Sequence, residues 1–283
     1  MSPSVNPGRV SIIIPCYNAG AHLSESVQSA LDQTYGDVEI VIVDDGSTDP
    51  HTREMLAEAK WPKTTIIYQK NGGPSAARNT AIKNATGEYI LPLDADDRIH
   101  ATYVEKAVAA INANTEVGIV YCKAHKFGAE EGLWQLPAYT LSELAIDNVI
   151  FCTSLYRKAD WQLVGGYDER LRHGMEDYEF WIKLVHLGRN VFQIDEPLFF
   201  YRIQETSRTT GFMASSATVV STYAEIFRAN RDFFAKHAEM LYEHRFRSNN
   251  ELNYWRQRYG RLDRFINRHP VIRSIARKLH SFV

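Results

Sequence analysis

Along roughly the first third of the chain, short β-branched runs alternate with segments whose apolar positions recur at helical spacing. RVSIIIPCYN reads as a buried strand stopped by Pro15, and Leu23, Val27, Ala30 and Leu31 then fall on one helical face. DVEIVIVDDGSTD is a second strand that ends abruptly in turn residues. A helix bearing Met55, Leu56 and Ala59 follows it, then a third strand, KTTIIYQ. In NGGPSAARNTAIKNATG, Gly72 and Gly73 permit a tight turn, Pro74 suits a first helical position and Gly87 ends the element. EYILPL is a fourth strand and TYVEKAVAAINAN another helix. This alternation predicts an α/β domain with a largely parallel sheet.

Polar clusters follow three of those strands: Asn18 after the first, Asp44 to Ser47 after the second, and Asp94 to Asp97 after the fourth. Open α/β sheets bind ligands at the carboxyl ends of their strands, so these loops are expected to converge on one crevice. Beyond about residue 115 the pattern is mixed. VGIVYCKAHKF reads as a strand and NVIFCTSLYRKADWQLVGGYDERL as a strand-turn-helix-loop region. EDYEFWIKLVHLG reads as a helix with Phe180, Leu184, Val185 and Leu187 on one side, ended by Gly188. NVFQI and LFFYRI are two short strands, and from about Met213 the chain is helical.

Composition narrows this further. With 283 residues, 45% hydrophobic and 23% charged, the chain can bury a sizeable core. The net charge of −2 gives no basic field for a nucleic-acid partner. Cys16, Cys122 and Cys152 are widely spaced, show no CxxC zinc pattern and fit a reduced cytoplasm. The start, MSPSVNPGRV, has no apolar core of a signal peptide, and no apolar run reaches the ~20 residues of a bilayer span.

The charge pattern poses the chemical question. EYILPLDADDRI turns from a buried strand into three aspartates, Asp94, Asp96 and Asp97, which repel one another unless something positive compensates. Turn chemistry explains a single Asp; three, with a matching acidic turn after a neighbouring strand, point to a hard divalent cation, Mg²⁺ or Mn²⁺, bridging carboxylates to phosphates.

VSIIIPCYN, IVIVDDGSTD, NGGPSAARNTAI, GEYILPLDADD and GMEDYEFWIKL follow the order and approximate spacing of the family 2 glycosyltransferases, which this chain resembles from about Val10 to Tyr201. The resemblance implies a GT-A type fold: a Rossmann-like nucleotide-binding sheet (residues 9–100) fused to an acceptor-binding half (101–212). A flexible N-terminus (1–8) and a C-terminal helical region (213–283) would flank it. It also implies a nucleotide-sugar donor, most simply UDP-linked, and a glycan or lipid-linked saccharide acceptor.

Carried over residue by residue, Pro15, Tyr17 and Asn18 line the uracil site, and Asp45 accepts from the base. Gly73 and Ala95 border the nucleotide, Arg78 sits near the base or the diphosphate, Asp94 contacts ribose or metal, and Asp96 ligates the cation. Asp177 is the catalytic base, with Glu176 orienting the acceptor or supporting the site. Arg202 or Arg208 neutralises diphosphate, because Gln204 stands where many relatives carry a histidine. His173 and Trp181 line the acceptor side, and Gly165 and Gly166 either let backbone approach the donor sugar or form a simple turn.

The rival readings are a catalytically silent nucleotide-sugar-binding or scaffold protein of the same fold, and a nucleotidyltransferase. The intact Asp45, Asp94, Asp96 and Asp177 argue against the first, and the lack of a basic residue in IPCYNAGAHL argues against the second.

In PVIRSIARKLHSFV, Ile272, Ile275, Ala276, Leu279 and Phe282 share a helical face flanked by Arg273, Arg277 and Lys278. Such a helix could pack on the catalytic domain, on another subunit in a homo-oligomer, or on the inner face of the membrane as a peripheral contact.

Overall fold

The computed structural model describes residues 4–205 and 207–269. In chain order the elements are β1 (Asn6–Cys16), α1 (Gly20–Leu31), β2 (Val38–Asp44), α2 (Pro50–Glu58), β3 (Thr64–Tyr68), α3 (Pro74–Asn84) and β4 (Gly87–Pro92). There follow β5 (Arg98–Ile99), α4 (Tyr103–Ala113), β6 (Val117–Gly128), β7 (Gly132–Trp134), α5 (Leu141–Leu144), β8 (Leu155–Arg157) and α6 (Lys158–Leu163). The last are α7 (Glu176–His186), β9 (Asn190–Ile203), α8 (Arg208–Met213), α9 (Ser216–Ala229), α10 (Arg231–Lys236) and α11 (Ala238–Arg268).

Among the described residues one sheet runs β3-β2-β1-β4-β8-β6-β9-β5, with β7 paired to β6. β1 is parallel to β2 and β4, and β2 is parallel to β3, as the strand-helix alternation predicts. The sheet then becomes mixed, because β8 runs antiparallel to both β4 and β6. The chain moves outward from β1 to β3 and returns to the other side of β1 as β4. A crevice therefore opens beyond the carboxyl ends of β1 and β4, where the strand order reverses. Ile12, Ile13, Ile14, Ile40, Ile42 and Val43 are buried on both faces of the central strands. Each such side chain contributes roughly 1.5–3 kcal/mol, which holds the crevice on a rigid floor.

Several boundaries differ from the sequence expectations. β1 begins at Asn6, inside the stretch expected to be flexible, because Asn6 N–H donates to Thr86 O and Gly8 N–H to Glu88 Oε2. Pro15 does not stop β1 but lies in it, paired in register with Val43. NVFQI and LFFYRI form one strand, β9, whose register against β6 shifts around Lys123. Leu187, just past the end of α7, is exposed, while Tyr178, Phe180, Trp181, Ile182 and Leu184 on the helix are all buried. That helix is sunk into the protein on most sides.

The chain divides into two compact units, Met1–Phe234 and Ala235–Val283, so α9 lies in the first unit and the expected boundary at residue 212 falls inside it. No described helix is long and apolar enough to cross a membrane. The basic amphipathic segment anticipated near the C-terminus lies outside the described residues.

Candidate active site

The loops after β1 and β2 are stapled together. Asn18 adopts a left-handed conformation (φ 51°). From there its side-chain oxygen accepts from Thr48 N–H at 2.8 Å and Asp49 N–H at 2.9 Å. Tyr17, next to it in the chain, is half exposed. Asp45 is buried and accepts from Gln69 Nε2 (2.7 Å), Gly72 N–H (2.8 Å) and Gly73 N–H (2.8 Å). Three of its four lone-pair positions thus organise the turn before α3, leaving a single acceptor position on Oδ2. Gly46 is required at this contact: it has φ +72°, and a β-carbon there would meet Asn71 N at 2.8 Å.

The Asp94–Asp97 loop follows β4 and is pinned from two sides. Ser26 of α1 donates to the Asp94 carbonyl at 3.1 Å. From the end of β9, Arg202 N–H donates to Asp97 Oδ1 and Arg202 Nε to the Asp96 carbonyl, each at 2.8 Å. Arg202, expected to neutralise diphosphate, therefore braces the acidic loop and pairs with Glu25. Burial pushes the Asp96 carboxyl up, and the Asp94 charge pushes it further. Asp97 is fully buried and is pushed well above the ordinary range by burial and by Asp96 and Asp94. Gln204 Nε2 donates to Asp96 Oδ2 at 2.6 Å.

Excess negative charge on two adjacent carboxyls, Asp94 and Asp96, fits a divalent cation. No group of three or more His, Cys, Asp or Glu among the described residues is arranged to hold a metal by itself. Such a cation would keep few protein ligands and take the rest from phosphate and water, as Mg²⁺ and Mn²⁺ do.

The second acidic cluster opens α7. Gly174 (φ 141°) and Met175 (φ 66°, left-handed) set the turn that places Glu176 and Asp177 in the first helical turn. A left-handed methionine stores strain of order 1–3 kcal/mol, of the kind that collects at functional sites. Glu176 is buried, and its Oε1 accepts from both Arg78 Nη1 and Arg208 Nη2 at 2.7 Å. Burial raises its pKa, but the guanidiniums of Arg208 and Arg78 more than reverse this, and the carboxyl falls to about 2. Asp177 is half-buried at the cleft, with Oδ2 accepting from Asn148 Nδ2 (3.0 Å) and Oδ1 from Tyr178 N–H (2.9 Å). Burial and the neighbouring Glu176 charge push it up to about 6.

Arg78 joins the two clusters. A helical arginine is ordinarily solvated, yet its side chain is only 1% exposed; it bonds Glu176 on one side and Asp94 Oδ1 on the other, at 2.6 Å. Its guanidinium is engaged by protein carboxylates rather than held open for a base.

A cleft of about 520 Å³ gathers Arg78, Asp94, His173, Glu176, Asp177, Arg202, Gln204 and Arg208. Trp134, stacked on Tyr201 at 4.7 Å between ring centroids, and Phe151 line the same cleft. Trp181 is not among them: it is fully buried, donates its indole N–H to Ile150 O and packs against Tyr156 and Phe180, so it is core and not an acceptor contact. Gly166 serves internal packing, since a β-carbon there would meet Asn79 Oδ1 at 2.8 Å and the Trp161 ring at 2.9 Å. Asn148 escaped the sequence reading because it lies in the irregular stretch between α5 and β8, where no periodicity marks it. In sequence it stands between Asp147 and the short apolar run Val149 to Phe151.

Comparison with known proteins places this geometry in context. The family model described as "Glycosyl transferase family 2" matches residues 11–169. Chondroitin synthase of Escherichia coli is 33% identical over 185 residues, which span 63% of this chain and 27% of that protein. An uncharacterized glycosyltransferase of Rickettsia typhi is 32% identical over 218 residues, 71% of this chain and 65% of that protein. The chain thus spans between about a quarter and two-thirds of the length of these relatives. Among solved structures, S. aureus TarS 1–349 in complex with UDP-GlcNAc superposes with a TM-score of 0.61 at 24% identity, covering 71% of this chain and 60% of that one. The mannosyltransferase PcManGT of Pyrobaculum calidifontis, in complex with GDP-Man and Mn²⁺, gives 0.61 at 21% identity, covering 78% and 64%. At such identities the structural likeness speaks for the fold alone.

Proposed function

Because the chain belongs to glycosyl transferase family 2 and has its GT-A fold, we propose that it transfers one sugar from a nucleotide-sugar donor, UDP-linked, to a hydroxyl of a saccharide acceptor, with inversion. The observation that carries this reading is the Asp177 carboxyl, held by Asn148 at the cleft and poised near a pKa of about 6. A general base works best when its pKa lies near the operating pH. Asp177 would accept the proton of the acceptor hydroxyl as that oxygen attacks the anomeric carbon, and the bond to the nucleotide diphosphate breaks on the opposite face. One displacement forms one bond and breaks one, which gives inversion.

On the donor side Tyr17, Asn18 and Asp45 would hold the base, with Pro15, Gly73 and Ala95 shaping the backbone around it. Asp96, with Asp94, would hold the Mn²⁺ or Mg²⁺ carried with the diphosphate. When bound, that ion supplies charge neutralisation on the departing phosphates. Arg78 keeps Asp94 and Glu176 in fixed positions on either side of the reaction path. Arg208, whose side chain is 44% exposed, is the cation best able to meet donor phosphate. The Trp134–Tyr201 stack supports a sugar acceptor, since pyranose C–H faces pack on aromatic rings; a glycan or a lipid-linked saccharide fits equally.

The test is a panel of UDP- and GDP-sugars assayed with Mn²⁺, with Mg²⁺ and with EDTA. Turnover of a UDP-sugar that EDTA abolishes and Mn²⁺ restores is expected. Full turnover in chelator would remove Asp96 and Asp94 from metal binding, and absence of turnover with tight nucleotide-sugar binding would favour the silent binding protein.

A further inference from the structure

The helix α11 presents an arrangement that the catalytic reading does not use. Residues 245–259 are exposed on every face, although this stretch contains Leu252, Trp255 and Tyr259. An isolated helix draws most of its stability from packing an apolar face, so a long helix exposed all round calls for a partner. The apolar positions show what kind. Leu252, Trp255, Tyr259 and Ile266 are spaced three, four and seven apart, and Leu262 fills the remaining position of the repeat by sequence. That is the a/d seam of a heptad, with Leu252, Tyr259 and Ile266 at a and Trp255 and Leu262 at d. The Trp255 and Tyr259 rings already stack along it at 5.1 Å.

The flanking charges choose among occupants. In this register Glu251 falls at g and Arg256 at e of the next heptad, and the sequence repeats the pattern with Arg258 at g and Asp263 at e. In a parallel pair, g of one helix faces the following e of the other, so each g–e pair joins opposite charges. An antiparallel pair of the same helices sets Arg256 against Arg256 and Arg258 against Arg258 about its centre. An anionic lipid surface would attract Arg256 and Arg258, which also border the stripe, but would repel Glu251, whereas a parallel second helix sets Glu251 against a cation. We propose that α11 pairs with α11 of a second copy of this chain as a parallel two-stranded coiled coil through Leu252, Trp255 and Tyr259, registered by Glu251 and Arg256.

The experiment uses the full chain in sedimentation velocity at micromolar concentration. A reversible dimer is expected from the unaltered protein, and Trp255→Glu should be monomeric while keeping its nucleotide-sugar binding. Glu251→Arg sets like charges at the two symmetry-related Glu251–Arg256 contacts and should weaken the dimer by about tenfold. Glu251→Arg combined with Arg256→Glu should restore it, because Glu251 and Arg256 are five apart and do not face each other on one helix. A monomer at all concentrations, a dimer indifferent to Trp255→Glu, or a double variant no better than Glu251→Arg would each overturn the proposal. So would a monomer that pellets with anionic vesicles through the same stripe. Sugar transfer can fail or succeed independently of all four readings, so this test stands apart from that of the catalytic function.

Discussion

The two acidic clusters of the cleft are built from the same residue types and end in opposite electrostatic states. In the Asp94–Asp97 loop, burial and mutual repulsion act together and raise both Asp96 and Asp97. At the start of α7 the two carboxyls are driven apart: Glu176 falls to about 2 and Asp177 rises to about 6. The difference lies in where the cations sit. Arg78 and Arg208 both bond Glu176 directly, whereas the loop has Arg78 only on Asp94 and backbone or amide donors elsewhere. A doubly paired Glu176 stays charged, and its charge, together with burial, makes Asp177 the more basic neighbour. Proximity alone raises both carboxyls of the loop; proximity with internal arginines lowers one carboxyl of the α7 pair and raises the other.

Removing the residue that links the clusters is the most severe way to break this contrast. Arg78→Met leaves Glu176 buried with Arg208 as its remaining ion-pair partner and frees Asp94 from its clamp. Loss of one partner from a buried ion pair costs about 3–5 kcal/mol, so the urea unfolding midpoint should fall steeply and nucleotide-sugar binding should weaken. An unfolding free energy within about 1 kcal/mol of the unaltered protein would mean that the pairing of Arg78 with Glu176 contributes little to stability.

Asp177→Asn separates the clusters by function and leaves the fold intact. The amide keeps the size of the side chain but removes its basicity, so kcat should drop by roughly 10²-fold or more with donor affinity near normal. The pH profile sharpens the test. Asp177 must be ionised to accept a proton, so kcat/KM should rise with pH through about 6 and flatten above it. The rising limb should vanish in the variant. Near-normal turnover by Asp177→Asn would move the base elsewhere. Glu176 is then a poor substitute, because a carboxyl held at about 2 by two guanidiniums has little proton affinity.

Much of this architecture was legible in the sequence because its signals are local. The apolar runs of β1, β2 and β4, each soon followed by polar residues, locate both the sheet and the edge where its loops meet. What escaped depends on distant partners. Arg78 lies on a helix of low apolar content, and its burial follows from carboxylates 16 and 98 residues away. Trp181 resembled an accessible aromatic because no helical period predicts an α7 enclosed on most sides. β9 looked like two strands because Asp195, Glu196 and Pro197 interrupt its apolar run, and the sheet absorbs them as an irregularity in register. Asn148 carries no motif at all.

That last residue offers the smallest and most specific perturbation. Asn148 donates to Asp177 Oδ2, a bond worth most when the carboxyl is ionised. Asn148→Ala removes a stabiliser of the charged form, so the Asp177 pKa should rise beyond its already raised value, and the acid limb of kcat/KM should move to higher pH. A hydrogen bond to a charged group contributes about 1.5–3 kcal/mol when intact. With water replacing part of that, the loss should be roughly tenfold in rate below the limb and much less on the alkaline plateau. A purely structural role would lower the rate equally at every pH. Asn148→Gln, which can carry the amide on a longer arm, should recover part of the shift if the bond itself is what matters. An unmoved limb in Asn148→Ala would leave burial and Glu176 as sufficient causes of the raised Asp177, and the contrast between the two clusters would then rest on the arginines alone.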